Sequence, residues 1–145
     1  MSDAIYNDAI KAAARDRSHT GRLPSPDASV TCDNPLCGDR VTLDVELAGG
    51  RIAAIAHKTR GCMLTEAAAG LVAGHAASVP LERLAGLRRE LERFLAGEAP
   101  PPWPELAMFE PVRAVRSRHE CVTLPFQALA EALRDAGARE RESRS

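Results

Sequence analysis

The residues of this 145-residue chain best suited to chemistry are its four cysteines, Cys32, Cys37, Cys62 and Cys121. Three of them stand in short segments built like element boundaries: Asn34-Pro35-Leu36-Cys37-Gly38-Asp39, Arg60-Gly61-Cys62-Met63-Leu64 and Arg118-His119-Glu120-Cys121-Val122. Position matters because the free backbone N–H groups at a helix start favour a thiolate, and the thiolate is both the metal ligand and the nucleophile. Gly38 permits a tight turn that would carry the Asp39 carboxylate toward the Cys37 sulfur. Three thiolates and a carboxylate make a four-ligand set whose softness suits zinc or iron better than magnesium or calcium. The chain has no Cys-x-x-Cys pair, so on spacing alone thiol chemistry, metal binding and simple burial all stay open.

The elements that must position these residues follow from periodicity. Helical spacing over residues 3–15 places Ile5, Tyr6, Ala9 and Ile10 on one stripe, and residues 18–27, rich in breakers, form a loop. Residues 40–48 alternate strictly, which predicts a strand with one buried and one wet face. Gly49-Gly50 supplies the positive φ of a hairpin turn, the return strand covers 51–59, and a short strand over 28–33 completes three. Helices over 64–77 and 80–95 are the cover, with Pro100-Pro-Pro-Trp-Pro104 a stiff connector behind them. A short helix follows at 106–115, and a last helix starts near Pro125 and runs through Leu129 and Leu133 to Ala136. The expectation is an α+β fold, a three-stranded antiparallel sheet covered by helices, in a single domain over 1–136 with a flexible tail at 137–145. The formal charge of −1 and pI near 6.4 give no footprint for nucleic acid, and the apolar runs are too short to span a bilayer. With no basic, apolar or cleavage region at its start, the chain reads as soluble, cytoplasmic and not exported.

The three cysteine segments, in this order, resemble the U-type iron–sulfur cluster assembly scaffold family, comprising IscU, SufU and the N-terminal domain of NifU. The resemblance covers residues 6–133. It rests on Cys37-Gly38-Asp39 before the alternating strand and hairpin, Gly61-Cys62 heading an alanine-rich helix, and Arg118-x-x-Cys121-x-x-Leu124 with Leu129 and Leu133 beyond. It implies that Cys37, Cys62 and Cys121 are the cluster or metal thiolates, that Asp39 is the exchangeable oxygen ligand, and that Arg118 supports the third cysteine. The long interval between Cys62 and Cys121 is similar to the SUF-type branch. The Leu-Pro-Pro-Val-Lys chaperone string of the ISC type is replaced by Val115-Arg-Ser-Arg-His-Glu120, so a dedicated chaperone pair is not implied. Glu120 stands where the family carries His or Lys and should raise the Cys121 thiol pKa, with Arg118 as an offset. His57 replaces an aromatic, and Arg17-Ser-His-Thr-Gly21 replaces an Asn-Pro string.

The function implied is a scaffold on which iron and sulfur form a [2Fe–2S] cluster for transfer to apo acceptor proteins. A cysteine desulfurase would supply the sulfur as a persulfide, with Cys121 the acceptor. A second reading, of another class, is a zinc-dependent sulfur-transfer protein. Zinc would occupy the same four ligands, and Cys37, displaced from the metal, would accept the persulfide and so stimulate the desulfurase. A third is a structural zinc domain without sulfur chemistry. The first reading is a carrier rather than an enzyme, the second a sulfurtransferase, and a homodimer is a further partner to consider. Elsewhere, Cys32 reads as a buried strand thiol able to form an adventitious disulfide with Cys37, His119 as a surface histidine, and His75 as a neighbour of a helix end. Arg88-Arg89 reads as a solvated face, and Trp103 as a docking patch or a ring packed on the prolines at the surface.

Overall fold

The structure, a computed structural model, describes residues 6–36 and 38–144, with 138–144 as backbone only. Its elements are α1 (Asp8–Arg15), β1 (Ala28–Asn34), β2 (Asp39–Ala48), β3 (Arg51–Arg60), α2 (Met63–His75), α3 (Leu81–Leu84), α4 (Leu87–Leu95) and α5 (His119–Arg144). Short 3₁₀ turns follow α2 (Ala76–Ser78) and precede α5 (Pro104–Ala114 and Arg116–Arg118). The sheet is antiparallel in the order β1-β2-β3, as the alternation predicted. Gly49 and Gly50, at φ 60° and 76°, make its hairpin turn.

Register fixes which side chains meet. Val41, Leu43 and Val45 of β2 lie between Cys32, Val30 and Ala28 of β1 and Thr59, His57 and Ile55 of β3. This face is covered by α2 and α5, and with Leu64, Val72, Phe126 and Leu129 it forms the core. Because side chains alternate with a period of two, Asp39 continues the Val41–Leu43–Val45 row and so stands on the core face at the end of β2. The opposite face is drier than its alternation suggests. Residues 16–27 cross it, and Asp44, with a side chain 0% exposed, accepts from Arg22 Nε at 2.8 Å, Leu23 N at 2.9 Å and Ser29 Oγ at 2.5 Å.

Other differences from the sequence reading have local causes. The helix read at 3–15 spans Asp8–Arg15; Ile5 lies outside the described residues, and Asn7 caps the helix by accepting from Ile10 N at 2.9 Å. The helix read at 80–95 is two, divided at Ala85-Gly86, where Gly86 takes φ −95° and ψ 0°. The stretch read as a helix at 106–115 is the longer 3₁₀ turn, with Pro104 at its start and Pro111 inside, residues that cannot donate an α-helical bond. Trp103 is neither a docking patch nor a surface ring: it is 8% exposed, with its ring 5.9 Å from that of His75 and 5.7 Å from that of Phe126. The last helix begins six residues before Pro125, at His119, and continues past Ala136 to Arg144. Burial of Cys121, Val122, Leu124 and Phe126 outweighs the proline, and beyond Ala136 the good helix formers Ala138, Arg139, Glu140, Arg141 and Glu142 carry the helix on despite Gly137. No helix among the described residues is long and apolar enough to cross a membrane.

Candidate metal centre

Asp39, Cys62 and Cys121 meet where β2 begins and where α2 and α5 begin. One carboxylate oxygen and the two sulfurs all lie within 4.8 Å of one another. Each arrives for a local reason. The sheet's alternation turns Asp39 inward, and the chain leaves β3 through Gly61, where a Cβ would stand 2.3 Å from Asp39 Oδ1. Cys62 is the N-cap of α2, its N–H donating to Asp39 Oδ1 at 3.2 Å and its Sγ 3.5 Å from Thr65 Oγ1. Cys121 sits in the first turn of α5 and is completely buried. Pro125, four residues on, has no N–H to give the Cys121 carbonyl, so the helical ladder is interrupted at the residue that carries the sulfur.

The two thiols are electrostatically unlike. A hydrogen bond from Cys121 holds the Cys62 thiol well below its ordinary pKa against the cost of burial, and the Thr65 hydroxyl and N–H assist. Cys121 is pushed up, first by that same bond, then by burial and the Cys62 charge, and further by Asp39. The pair therefore loses its first proton easily and its second with difficulty. Glu120, expected to raise Cys121, is exposed; the main causes are Cys62, burial and Asp39. The Arg118 guanidinium lies near Tyr6 and bonds toward the Cys121 sulfur, and both stabilise its positive charge. Asp39 Oδ2 is buried with no hydrogen-bond partner among the described residues. A buried carboxylate oxygen left unpaired is costly, and a cation among these three ligands would satisfy it. Soft sulfur with one hard oxygen is a donor set for zinc or iron.

A family model for the NifU-like N-terminal domain matches residues 5–110. The chain belongs to that family. An iron–sulfur cluster assembly scaffold protein IscU of Streptococcus pyogenes serotype M1 is 29% identical over 119 residues, 80% of this chain and 74% of the relative. Among solved structures, a NifU-like protein (N-terminal) from Brucella abortus superposes with TM-score 0.88 at 30% identity, over 94% of this chain and 97% of that one. A putative SUF-system scaffold from Fervidobacterium islandicum AW-1 shares the fold, with TM-score 0.84 at 20% identity, over 92% of this chain and 99% of that one.

In this NifU-like domain the remaining sequence candidates separate cleanly. Cys37 lies outside the described residues. Cys32 is buried in β1 and does not join the cluster; its thiol donates to Glu131 Oε2 at 3.2 Å, and burial, with Glu131, pushes its pKa up to about 12. His119 does not join the cluster; its Nε2 lies 3.1 Å from the Val112 carbonyl and 3.2 Å from that of Arg113. His75 stands against Trp103 and Glu105. His57, the replaced aromatic, is buried beneath the helices with Nδ1 2.9 Å from Thr59 Oγ1. The residue that sequence reasoning missed is Gly61. Its sign was present, a glycine directly before a candidate ligand at a strand end, but the reason for it is a neighbour twenty-two positions away.

Proposed function

We propose that this NifU-like domain is an iron–sulfur cluster assembly scaffold, holding iron and sulfide on Asp39, Cys62 and Cys121, with Cys37 as the fourth ligand. The observation that carries the reading is the convergence of two sulfurs and a carboxylate oxygen within 4.8 Å, with the buried Asp39 Oδ2 unpaired among the described residues. The cargo is a [2Fe–2S] cluster. Its sulfur comes from a cysteine desulfurase: Cys121 passes its hydrogen-bonded proton to the Cys62 thiolate, its sulfur attacks the terminal sulfur of the enzyme's persulfide, a new S–S bond forms as the old one breaks, and the enzyme's cysteine leaves as a thiolate. An external thiol reductant then converts the transferred sulfur to sulfide. Arg118, beside Cys121, works against the rise that Cys62, burial and Asp39 impose on that thiol, and so assists the proton's passage to Cys62. Met63, 38% exposed, and Leu36, 89% exposed, neighbour Cys62 and Cys37 in sequence and give the site an apolar rim for partner proteins.

Release is the other half of the task. A carboxylate is a harder and more easily displaced ligand for iron than a fourth thiolate, so Asp39 makes this a site of passage rather than storage. Anaerobic reconstitution with ferrous iron, cysteine and a desulfurase tests the reading. The unmodified protein should develop a visible sulfur-to-iron charge-transfer spectrum, and Asp39→Ala should change the rate at which an apo-ferredoxin acquires the cluster. No spectrum in the unmodified protein, together with no effect of Asp39→Ala, would overturn it.

The same three ligands also suit a single tetrahedral ion, since a zinc bound at about 2.3 Å to each sulfur separates them by less than 4 Å. In that reading zinc is resident on Asp39, Cys37, Cys62 and Cys121, supplies Lewis acidity and holds thiolates ready, and Cys37 accepts the persulfide. Copurification of about one zinc per chain and strong stimulation of desulfurase turnover would select it over the scaffold.

A further inference from the structure

Away from the metal centre, a groove runs between α3–α4 and the second half of α5. One end is a mainly apolar cavity of about 470 Å³ walled by Leu47, Leu81, Ala85, Ala130 and Leu133, with the exposed Glu82 also on its lining. The other is a cleft of about 550 Å³ bounded by Gly86, Arg88, Arg89, Glu92 and Arg134. The two share Ala85, Ala130 and Arg134, so they form one continuous channel with an oily end and a cationic end. Arg88 is tied to Glu92 at 3.6 Å, whereas Arg89 and Arg134 form no ion pair among the described residues and are exposed. The charge of this end is carried by these side chains, since the first turn of α4 also holds Glu90.

From these features we infer that the groove is a second docking surface, for a partner protein segment that presents leucine-like side chains followed by carboxylates. Leu47, Leu81 and Leu133, each half-buried, form the walls an apolar anchor needs, and the arginines fix its direction by charge. Leu133 lies twelve residues along α5 from Cys121, about 18 Å at the helical rise. A partner held here leaves the rim around Asp39, Cys62 and Cys121 free, and its own reacting group is presented there at high effective concentration. The purpose so assigned rests on the scaffold reading; the binding itself does not, and is measured without metal or cluster.

The test is an NMR titration of the full, metal-free chain with a synthetic peptide of about twelve residues, two leucines one helical turn apart followed by a run of glutamates. A control peptide carries lysines in place of the glutamates. Shifts at Leu47, Ala85, Ala130 and Leu133, saturating below about 1 mM, are expected for the glutamate peptide and not for the lysine peptide. Affinity should fall about tenfold or more both in an Arg89→Glu/Arg134→Glu variant and between low and high salt. Both arginines are exposed, so the variant should fold; should it not, the salt series and the lysine peptide still decide. No shifts in the groove at about 1 mM, equal binding of the two peptides, or shifts centred on Cys62 and Cys121 would each overturn the proposal. So would sedimentation with phosphatidylserine vesicles that the glutamate peptide fails to compete, which would make the basic end a lipid surface.

Discussion

Gly61→Ala is the sharpest probe of the metal centre, because it adds one methyl group and removes no ligand. The new Cβ would lie 2.3 Å from Asp39 Oδ1 and 2.9 Å from its Cγ, where ordinary contact begins at 3.4 Å. The carboxylate must retreat by roughly an ångström, since the backbone at Gly61 is held between β3 and α2. That retreat breaks the bond from Cys62 N–H to Asp39 Oδ1, now 3.2 Å. A hydrogen bond to a charged acceptor contributes about 1.5–3 kcal/mol. For a domain of this size the loss lowers the midpoint of thermal unfolding by roughly 5–10 °C. Metal affinity should fall about 10- to 100-fold, as when a ligand loses the contact that orients it.

Cobalt(II) titration reads the outcome directly, since its thiolate charge-transfer bands count sulfur ligands and its visible bands report tetrahedral geometry. Gly61→Ala should keep the sulfur bands of Cys62 and Cys121 and lose affinity. In an Asp39→Ala background the same glycine change should cost much less, because Oδ1 and Cγ are gone and only the Cβ, 3.1 Å away, remains to give by a few tenths of an ångström, and the double-mutant cycle should show a coupling of at least about 1 kcal/mol. A Gly61→Ala protein that is less stable yet binds cobalt within about twofold of the unmodified chain would refute the argument: the carboxylate would then be a structural acceptor and not a ligand.

Asp44→Asn should destabilise the fold by about 2 kcal/mol in urea titrations, because it weakens the one acceptor shared by Arg22, Leu23 and Ser29. Its hydrogen bonds outweigh the desolvation that opposes them and hold the Asp44 pKa below 3.8; the carboxylate's contribution is therefore complete above that value and lost as pH falls through the lower folded one, so Asp44→Asn should flatten the acid limb of stability against pH. His57 acts in the same direction at higher pH: burial, then His19 and Arg17, lowers its pKa from 6.5, the unfolded chain takes up the proton first, and stability should begin to fall as pH drops below about 6.5, an effect that His57→Gln removes. Cys32, with its pKa near 12, should resist iodoacetamide at pH 8 until the chain is unfolded, and mass spectrometry of peptides would expose an error by finding it alkylated alongside Cys62. Metal binding must strip the proton shared by Cys62 and Cys121, so calorimetry in buffers of different ionisation enthalpy should show proton release, and apparent affinity should rise with pH between 6 and 8.

The sheet was legible because its signal is local. Strict alternation over Val41, Leu43, Val45 and Leu47 and a Gly-Gly turn define two strands; their register was not legible, because a bulge between Glu46 and Leu47 shifts the pairing by one residue, from Leu47 opposite Ile52 to Glu46 opposite Ala54. The same period of two, extended backward by one step, predicts the inward turn of Asp39. The ends of the helices were less legible, because each depends on packing that no local pattern encodes: Pro125 marks a helix start by its own preference, yet the buried run from Cys121 to Phe126 carries the helix past it. The wet face assigned to β2 failed at Asp44 for a similar reason, since its dryness comes from Arg22 and Leu23 in a loop with no periodicity to read. Of the candidate site, the residue types and order were visible, and the coupling between them was not. Glu120 drew attention as the neighbour of Cys121 in sequence, while in space the charge beside that sulfur belongs to Cys62 and Asp39.

That contrast bears on what the site can do. Its ligands come from the ends of three elements that the core holds separately, β2 by its register, α2 by packing under α1, where a Cβ on Gly70 would stand 2.9 Å from the Ala13 carbonyl, and α5 by its buried leucines and Phe126. No loop has to close to assemble them, so the cost of bringing two sulfurs and an oxygen together is met by the fold before any ion arrives. The grip is nevertheless incomplete. One thiol is held protonated, one carboxylate oxygen is unpaired among the described residues, and the helix that carries Cys121 lacks the backbone bond Pro125 cannot make. A site that is preorganised in position and unsatisfied in charge favours capture of a soft cation, and on the proposed scaffold reading Asp39, as its single hard ligand, would keep the way out open.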